Sequence, residues 1–138
     1  MESTKVISDK APEPVGAYPH ARKVGDLLFL SGVGPRKKGT KEIPGVELDV
    51  YDNIMSHDIV KQTESVIENV KAILESSGSS LEKVVDIQVF LTHMKRDFNE
   101  FNEVYGKTFA KIGPTRTTIE VLSLPTPIAV EFKVIATI

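Results

Sequence analysis

The C-terminal segment, residues 113–138, constrains the fold of this chain most strongly, and it reads GPTRTTIEVLSLPTPIAVEFKVIATI. β-Branched residues dominate two stretches of it, Arg116 to Leu122 and Ile128 to Thr137, and such residues favour strands. The residues between them, Ser123 to Pro127, include two prolines and predict a turn. Because side chains alternate between the two faces of a strand, each stretch offers one face to a core and another to solvent or a ligand.

The alternation predicts which side chains share a face. In the second strand, Glu131 and Lys133 lie opposite an apolar face formed by Val130, Phe132, Val134 and Ala136. In the first strand, Arg116 lies opposite Ile119 and Val121. We therefore expect the core on one side of the sheet and, on the other side, an arginine close to a carboxylate.

Arg116 and Glu131 are the leading candidates for functional residues. The chain has thirteen lysines but only four arginines, and Arg116 follows Gly113-Pro114 at the start of a strand. A planar guanidinium at such a place suits two-pronged recognition of a carboxylate. Glu131 interrupts an apolar strand, where an unpaired charge is costly. A surface salt bridge, or a polar position at a subunit contact, would explain both residues as well.

The rest of the chain predicts two helices and further strands. Strand patterns cover residues 5–8, 21–24, 27–33 and 84–94. Asp58 to Ser77 has the apolar spacing of a helix, and Asp97 is predicted to cap a second helix that ends at Gly113-Pro114. Residues 37–57 are polar and rich in turn-forming residues, so they predict a long loop.

This order of elements, β, ββ, α, β, α, ββ, predicts a single α+β domain over residues 1–138. Right-handed crossovers would place both helices on one face of a mixed sheet. The other face would then be bare and is a candidate surface for self-association. Its predicted residues are Asp86, Gln88, Phe90, Thr92, Arg116, Thr118, Glu120, Glu131 and Lys133.

Composition argues against several classes of function. A formal net charge of −2 is unfavourable for nucleic acid as the main partner. The absence of cysteine excludes disulfides, thiolate metal sites and a cysteine nucleophile. His20, His57 and His93 show no recognised ligand spacing, so no metal site is predicted. No stretch predicts a signal peptide or a membrane span, and we expect a cytoplasmic protein.

Four segments of the chain carry a family resemblance. They are APEPVGAYPHA (11–21), LLFLSGVGPR (27–36), GPTRTT (113–118) and VEFKVIAT (130–137). Together they resemble the Rid/YjgF family of imine deaminases over nearly the whole chain. The resemblance implies a chorismate-mutase-like α+β fold, with a mixed six-stranded sheet and two helices on one face. It also implies a homotrimer whose sheets form a central barrel, with sites between subunits and with no cofactor or metal.

The same resemblance implies roles for individual positions. Arg116 would clamp the α-carboxylate of the substrate, and Glu131 would orient or activate a water molecule and accept its proton. The side chain of Tyr18 would form one wall of the pocket and would assist proton transfer. Backbone groups of Gly32 and Thr118 would bind the carboxylate or the leaving nitrogen. Thr118 stands where the family commonly has cysteine, so only a backbone role carries over.

Within the family, the sequence is most similar to the 2-aminomuconate deaminases. These enzymes convert 2-aminomuconate to 2-hydroxymuconate or 4-oxalocrotonate and ammonia during the degradation of aromatic compounds. The substrate has two carboxylates, so a second cation is expected from Arg36, His20 or Lys37. A hydrogen-bonded structural role for His20 fits the sequence equally well. Asn102, in the second helix, matches a family position near the site of the adjoining subunit.

Two other functions remain open. A general deaminase would hydrolyse 2-iminobutanoate and 2-iminopropanoate made by other enzymes. A non-catalytic binding or regulatory module would keep Arg116 but would not need Glu131. The presence of both residues favours an enzyme, since imine hydrolysis needs only a held carboxylate and one placed water.

Overall fold

The computed structural model describes residues 2–138, and a six-stranded mixed sheet forms its centre. The strands are β1 (Ser3–Val6), β2 (Ala21–Val24), β3 (Leu27–Leu30), β4 (Val46–Leu48), β5 (Ile54–His57), β6 (Val84–Leu91), β7 (Thr115–Glu120) and β8 (Val130–Thr137), and the helices are α1 (Ile59–Ser76) and α2 (Met94–Phe109). The strand order is β1-β2-β3-β8-β6-β7, with only β6 and β7 parallel. The predicted α+β class and mixed six-stranded sheet are confirmed.

Helix α1 forms where the periodicity predicts it. The Asp58 carboxylate accepts hydrogen bonds from the backbone N–H groups of Val60 and Lys61, which would otherwise lack partners at the helix start. Its apolar stripe packs in the same core as the aromatic residues of α2, so both helices cover one face of the sheet. Neither helix of residues 2–138 has the length and continuous hydrophobicity needed to cross a membrane.

Helix α2 begins at Met94, three residues before the predicted cap. The backbone N–H of Met94 donates to the Glu120 carboxylate at 2.9 Å, so the capping acid comes from the end of β7. Asp97 is instead buried in the first turn, where its carboxylate contacts the His57 ring. The prediction that Asp97 caps this helix is therefore wrong, because a distant histidine competes for the carboxylate.

The last strand, β8, lies in the middle of the sheet between β3 and β6. Its predicted core face is confirmed, since four alternate residues are fully buried: Val130, Phe132, Val134 and Ala136. β7 lies beyond β6 at the sheet edge, so the two C-terminal strands do not pair with each other. A strand at the centre and a strand at the edge therefore carry the two candidate residues.

The register of β7 corrects a second prediction. Arg116 lies beside Ile87 and Thr118 beside Val89, and both β6 residues are fully buried under the helices. Glu131 lies beside Phe90, on the opposite face. Arg116 and Thr118 therefore face the helices and Glu131 faces away from them, so the prediction that Arg116 and Glu131 share a face is wrong.

Near the edge of the sheet, two apolar residues are exposed rather than buried in the core. Ile119, predicted for the core, is 44% exposed on the open face, where it lies beside Phe90. Val85 is 41% exposed because the register between β6 and β8 shifts at this point. The parallel register with β6, rather than hydrophobicity, therefore decides which face Ile119 occupies.

The segment 37–57, predicted as a loop, contains the two-stranded hairpin β4–β5. The Asp49 carboxylate accepts from the backbone N–H groups of Tyr51 and Asn53, which closes the turn and holds the pKa of Asp49 below its ordinary value. Strands of three and four residues with a register shift give no readable alternation in the sequence. β1 likewise begins at Ser3, two residues before the predicted strand.

Candidate active site

Glu131 projects from the centre of β8 onto the open face, directly over the backbone of Gly32. A Cβ atom at position 32 would lie 2.7 Å from Oε2 of Glu131, so only glycine admits the carboxylate at this place. Paired hydrogen bonds between Val33 and Phe132, 2.8 and 2.9 Å long, hold the glycine segment against β8. The fold therefore positions this acid through a backbone contact rather than through a cation.

Burial raises the pKa of Glu131 above its ordinary value. Glu131 forms no salt bridge within the described part of the chain. Lys133, on the same face, donates to the carbonyl oxygen of Leu30, and burial lowers its pKa. A carboxylate with a raised pKa is better matched to accepting and returning a proton near neutral pH.

Replacing Glu131 with glutamine is expected to raise Tm at neutral pH. Since the folded-state pKa is raised, the folded chain holds this proton more tightly than the unfolded chain. The resulting stabilisation is complete below the ordinary value of 4.5 and is lost as the pH rises through the folded pKa. The Tm difference between Glu131→Gln and wild type should therefore be positive at pH 7 and shrink towards acid pH.

Thermal melts at one protomer concentration, from about pH 4 to about pH 8, measure this difference. Glu100→Gln, at an exposed site on α2, is the matched control and should leave Tm unchanged. A Glu131→Gln protein that is less stable than wild type at pH 7 would contradict this prediction and would show that a cation from another copy of the chain compensates the charge of Glu131.

Tyr18, Gly32 and Arg36 line one small cavity, and Gly32 is the lining residue that also contacts Glu131. The ring of Tyr18 is 42% exposed at its rim and packs over Gly16. Arg36 is half-buried and donates one N–H to the carbonyl oxygen of Glu13 at 2.7 Å, which leaves its other donors available. The cavity volume is about 40 Å³, enough for only a few water molecules. The cavity within one chain is therefore far smaller than an ordinary ligand site.

His20 also lines this cavity but is not available to a substrate. It is 5% exposed, and its Nδ1 accepts a hydrogen bond from the backbone N–H of Ser8 at 3.0 Å. Nε2 must then carry the proton and donate to the carbonyl oxygen of Pro12 at 2.7 Å. Of the two roles that the sequence left open for His20, these hydrogen bonds favour the structural one, in which it holds residues 8–12 against β2.

Arg116 lies in an aromatic cradle on the other side of the sheet. Its guanidinium carbon is 4.7 Å from the ring centre of Tyr105, 5.4 Å from that of Phe101 and 5.9 Å from that of Phe98. Such stacking stabilises the cation and fixes its plane while its N–H edge stays free. Arg116 forms no salt bridge within residues 2–138. A planar cation without a counter-ion is suited to binding a carboxylate.

Asn102 and Thr118 belong to the Arg116 side. Asn102 is half-buried on α2, one helical turn from Phe98 and from Tyr105. Thr118 is half-buried on β7, on the same face as Arg116. The hydroxyl oxygen of Tyr105 is buried without a hydrogen-bond partner, and burial raises the pKa of that phenol. The predicted site residues thus fall into two groups, with the sheet between them.

Within one chain the two groups cannot meet. One group, hereafter the acid half, consists of Tyr18, Gly32, Arg36 and Glu131. The other group, hereafter the arginine half, consists of Asn102, Arg116 and Thr118. Glu131 lies on the face of the sheet opposite Arg116 and Thr118, so the acid and the arginine cannot bind the same small molecule unless they come from different protomers.

The structure also brings together a cluster that was not predicted. Ligand atoms of His57, His93 and Asp97 all lie within 4.8 Å of one another. The prediction that no histidine is spaced as a ligand with an acid is wrong, because His93 and Asp97 are four residues apart and share a helical face. That spacing was readable from the sequence, but the approach of His57 from β5 was not.

Comparison with known proteins identifies the family. The sequence model of the endoribonuclease L-PSP family matches residues 8–138, and the chain belongs to this family, the YjgF/Rid family. Among its relatives is a RutC family protein of Saccharolobus solfataricus, 41% identical over 95% of this chain and 94% of that protein. Another relative is the chloroplastic Reactive Intermediate Deaminase A of Arabidopsis thaliana, 35% identical over 96% of this chain and 65% of that protein.

The fold is shared with solved structures of similar length. The crystal structure of Escherichia coli TdcF with bound serine superposes with a TM-score of 0.83, at 30% identity and with 98% of each chain covered. The family and the arrangement of a six-stranded sheet with two helices are therefore established independently of the candidate site.

Proposed function

We propose that this protein is an imine deaminase that hydrolyses small 2-imino acids to 2-oxo acids and ammonia. The proposed site forms between two copies of the chain in a homotrimer, with the acid half from one copy and the arginine half from the next. The observation that carries the proposal is the complementarity of the halves. One offers a half-buried carboxylate without a cation, and the other offers a cradled guanidinium without an anion.

In this mechanism Arg116 binds the α-carboxylate of the imino acid through two parallel N–H donors. The Glu131 carboxylate accepts a proton from a water molecule as the water oxygen attacks the imine carbon. The C=N π electrons move to nitrogen, which takes up the proton held by Glu131, so that a carbinolamine forms and Glu131 is again a carboxylate able to pass the carbinolamine hydroxyl proton to the leaving nitrogen. Collapse of the carbinolamine forms C=O and breaks the C–N bond, so that ammonia leaves. Tyr18, at the rim, excludes bulk water and assists proton transfer.

One relative supports deaminase chemistry, and another supports a ligand of amino-acid size. The Arabidopsis relative is named a reactive intermediate deaminase, and the E. coli structure contains serine. The family description instead names an endoribonuclease. A formal net charge of −2 provides little attraction for a phosphate backbone, which makes RNA the less favoured substrate.

A second candidate substrate is 2-aminomuconate, and the position of Arg36 is the observation that favours it. Arg36 lines the cavity beside Gly32 and has donors to spare, so it could anchor a second carboxylate. With His20 fully bonded, Arg36 is the cavity residue left to do so. Imines with a single carboxylate need no such anchor, so a substitution of Arg36 should affect 2-aminomuconate and not the small 2-imino acids.

Arg36→Gln is expected to leave kcat/KM for freshly generated 2-iminobutanoate within about twofold of wild type, because a monocarboxylate makes no contact with Arg36. If 2-aminomuconate is a substrate, the same variant should raise its KM about tenfold or more, since one charge-assisted hydrogen bond contributes about 1.5–3 kcal/mol. Coupled measurement of ammonia release gives both rates, and Arg22→Gln, at an exposed position, is the matched control. If the wild-type protein turns over only 2-aminomuconate, the assignment as a general deaminase is wrong. If it turns over neither substrate, the protein is a non-catalytic binding module.

A further inference from the structure

The geometry points to a divalent transition-metal site of the zinc type, formed by His57, His93 and Asp97. It lies where the end of β5 meets the first turn of α2 and contains no residue of the proposed active site. Such a metal would tie the β4–β5 hairpin to α2.

The three side chains match the donor set of a zinc-type ion. Imidazole nitrogen and carboxylate oxygen are common zinc ligands, and three protein ligands with one open position is a frequent arrangement. Two of the three are buried and already close, since Nε2 of His57 and Oδ2 of Asp97 are hydrogen-bonded at 2.7 Å, and a metal ion would replace the proton that they share. His93 is exposed at the edge of the cluster, with its ring centre 5.2 Å from that of His57.

Neighbouring groups orient these ligands. Nδ1 of His93 contacts the Thr92 hydroxyl at 2.9 Å, which leaves Nε2 for a metal. Oδ1 of Asp97 lies 3.8 Å from Nε of Arg96, so Oδ2 is the oxygen turned to the cluster. Arg96 also donates to the carbonyl oxygen of His57 at 3.3 Å. Partners of this kind hold metal ligands in place in known sites.

Distances show what must move when an ion binds. In a tetrahedral site with bonds near 2.0–2.1 Å, the ligand atoms lie about 3.4 Å apart. The widest separation here, up to 4.8 Å, must therefore shorten, and the 2.7 Å pair must open. Rotation of the exposed His93 side chain accounts for most of the closure.

Two local charges limit the affinity. Arg96 is a cation beside the carboxylate, although its side chain is 60% exposed and its charge is screened. His93 also stands at the N-terminus of α2, where the helix dipole disfavours a cation. We therefore expect a dissociation constant in the micromolar range for Zn²⁺ or Co²⁺, rather than the much tighter binding of a four-ligand structural site.

The test is a titration of the chelator-treated full-length protein with Co²⁺ and then Zn²⁺. Cobalt should bind once per chain with visible absorption of a four- or five-coordinate ion, and zinc should displace it. His93→Ala should weaken binding at least tenfold, because loss even of an outer partner costs that much. Glu103→Gln, exposed on the same helix, should bind as wild type does.

The three histidines supply an internal readout that does not depend on variants of the buried pair. Long-range ¹H–¹⁵N NMR of the imidazole rings should show zinc perturbing His57 and His93. His20, with both nitrogens bonded to backbone groups, should be unchanged. Saturation with zinc should also raise the Tm of the wild-type protein and leave the Tm of His93→Ala unchanged. Absence of binding at millimolar metal, or binding that is the same in His93→Ala, would overturn the site.

Discussion

Replacing Arg116 with glutamine is expected to lower kcat/KM for 2-iminobutanoate by about 10²- to 10³-fold, or about 3–4 kcal/mol. The variant removes the cation that pairs with the α-carboxylate and leaves that carboxylate unpaired between two protomers. Steady-state ammonia release measures the effect. Arg116→Lys keeps the charge but loses the planar fork, so an intermediate loss is expected.

Arg22→Gln provides the matched control, because Arg22 is exposed on β2 and bonds only to Ser3 within the described residues. It should retain wild-type turnover. Circular dichroism of Arg116→Gln checks that the aromatic cradle from α2 still packs without the guanidinium. A folded Arg116→Gln enzyme with wild-type kcat/KM would remove Arg116 from the site.

Mixing two inactive variants is expected to restore activity. Arg116→Gln and Glu131→Gln should each be nearly inactive alone, because each destroys one half of every site. In randomly mixed oligomers, about one site in four combines an intact Arg116 from one copy with an intact Glu131 from its neighbour, which predicts about a quarter of wild-type activity.

The mixture separates a shared site from a site within one chain. If both residues acted from the same protomer, every protomer in the mixture would carry one defect and no activity would return. The double variant Arg116→Gln/Glu131→Gln mixed with wild type is the control for subunit exchange. Its activity should also fall to about a quarter per site, since both partners must then be wild type.

Sequence patterns predicted the elements that form the core better than the elements at its edges. The period of α1 and the alternation in β8 follow from burial, because each apolar residue there meets the core. Alternation along β7 shows which residues lie together but not which face they occupy. That choice is set by the parallel register with β6 and by the aromatic residues that receive Arg116.

Long-range contacts explain the other differences. Asp97 has the local pattern of a cap, but His57, forty residues away, accounts for its burial, and Glu120 takes its place at the helix start. His20 could be a ligand or a structural residue on sequence alone, and only the positions of Ser8 and Pro12 decide between them. No known sequence spacing identifies Ser8 or Pro12 as a hydrogen-bond partner of His20.

The contact between Glu131 and Gly32 restricts how relatives of this protein can diverge. Any side chain at position 32 would push the carboxylate away from its place, so this pair must be inherited together. Tyr18 is likewise packed against a glycine, Gly16, whereas Arg36 stands at the rim without such a constraint. New substrates can therefore evolve by exchange of rim residues while the proton acceptor remains where it is.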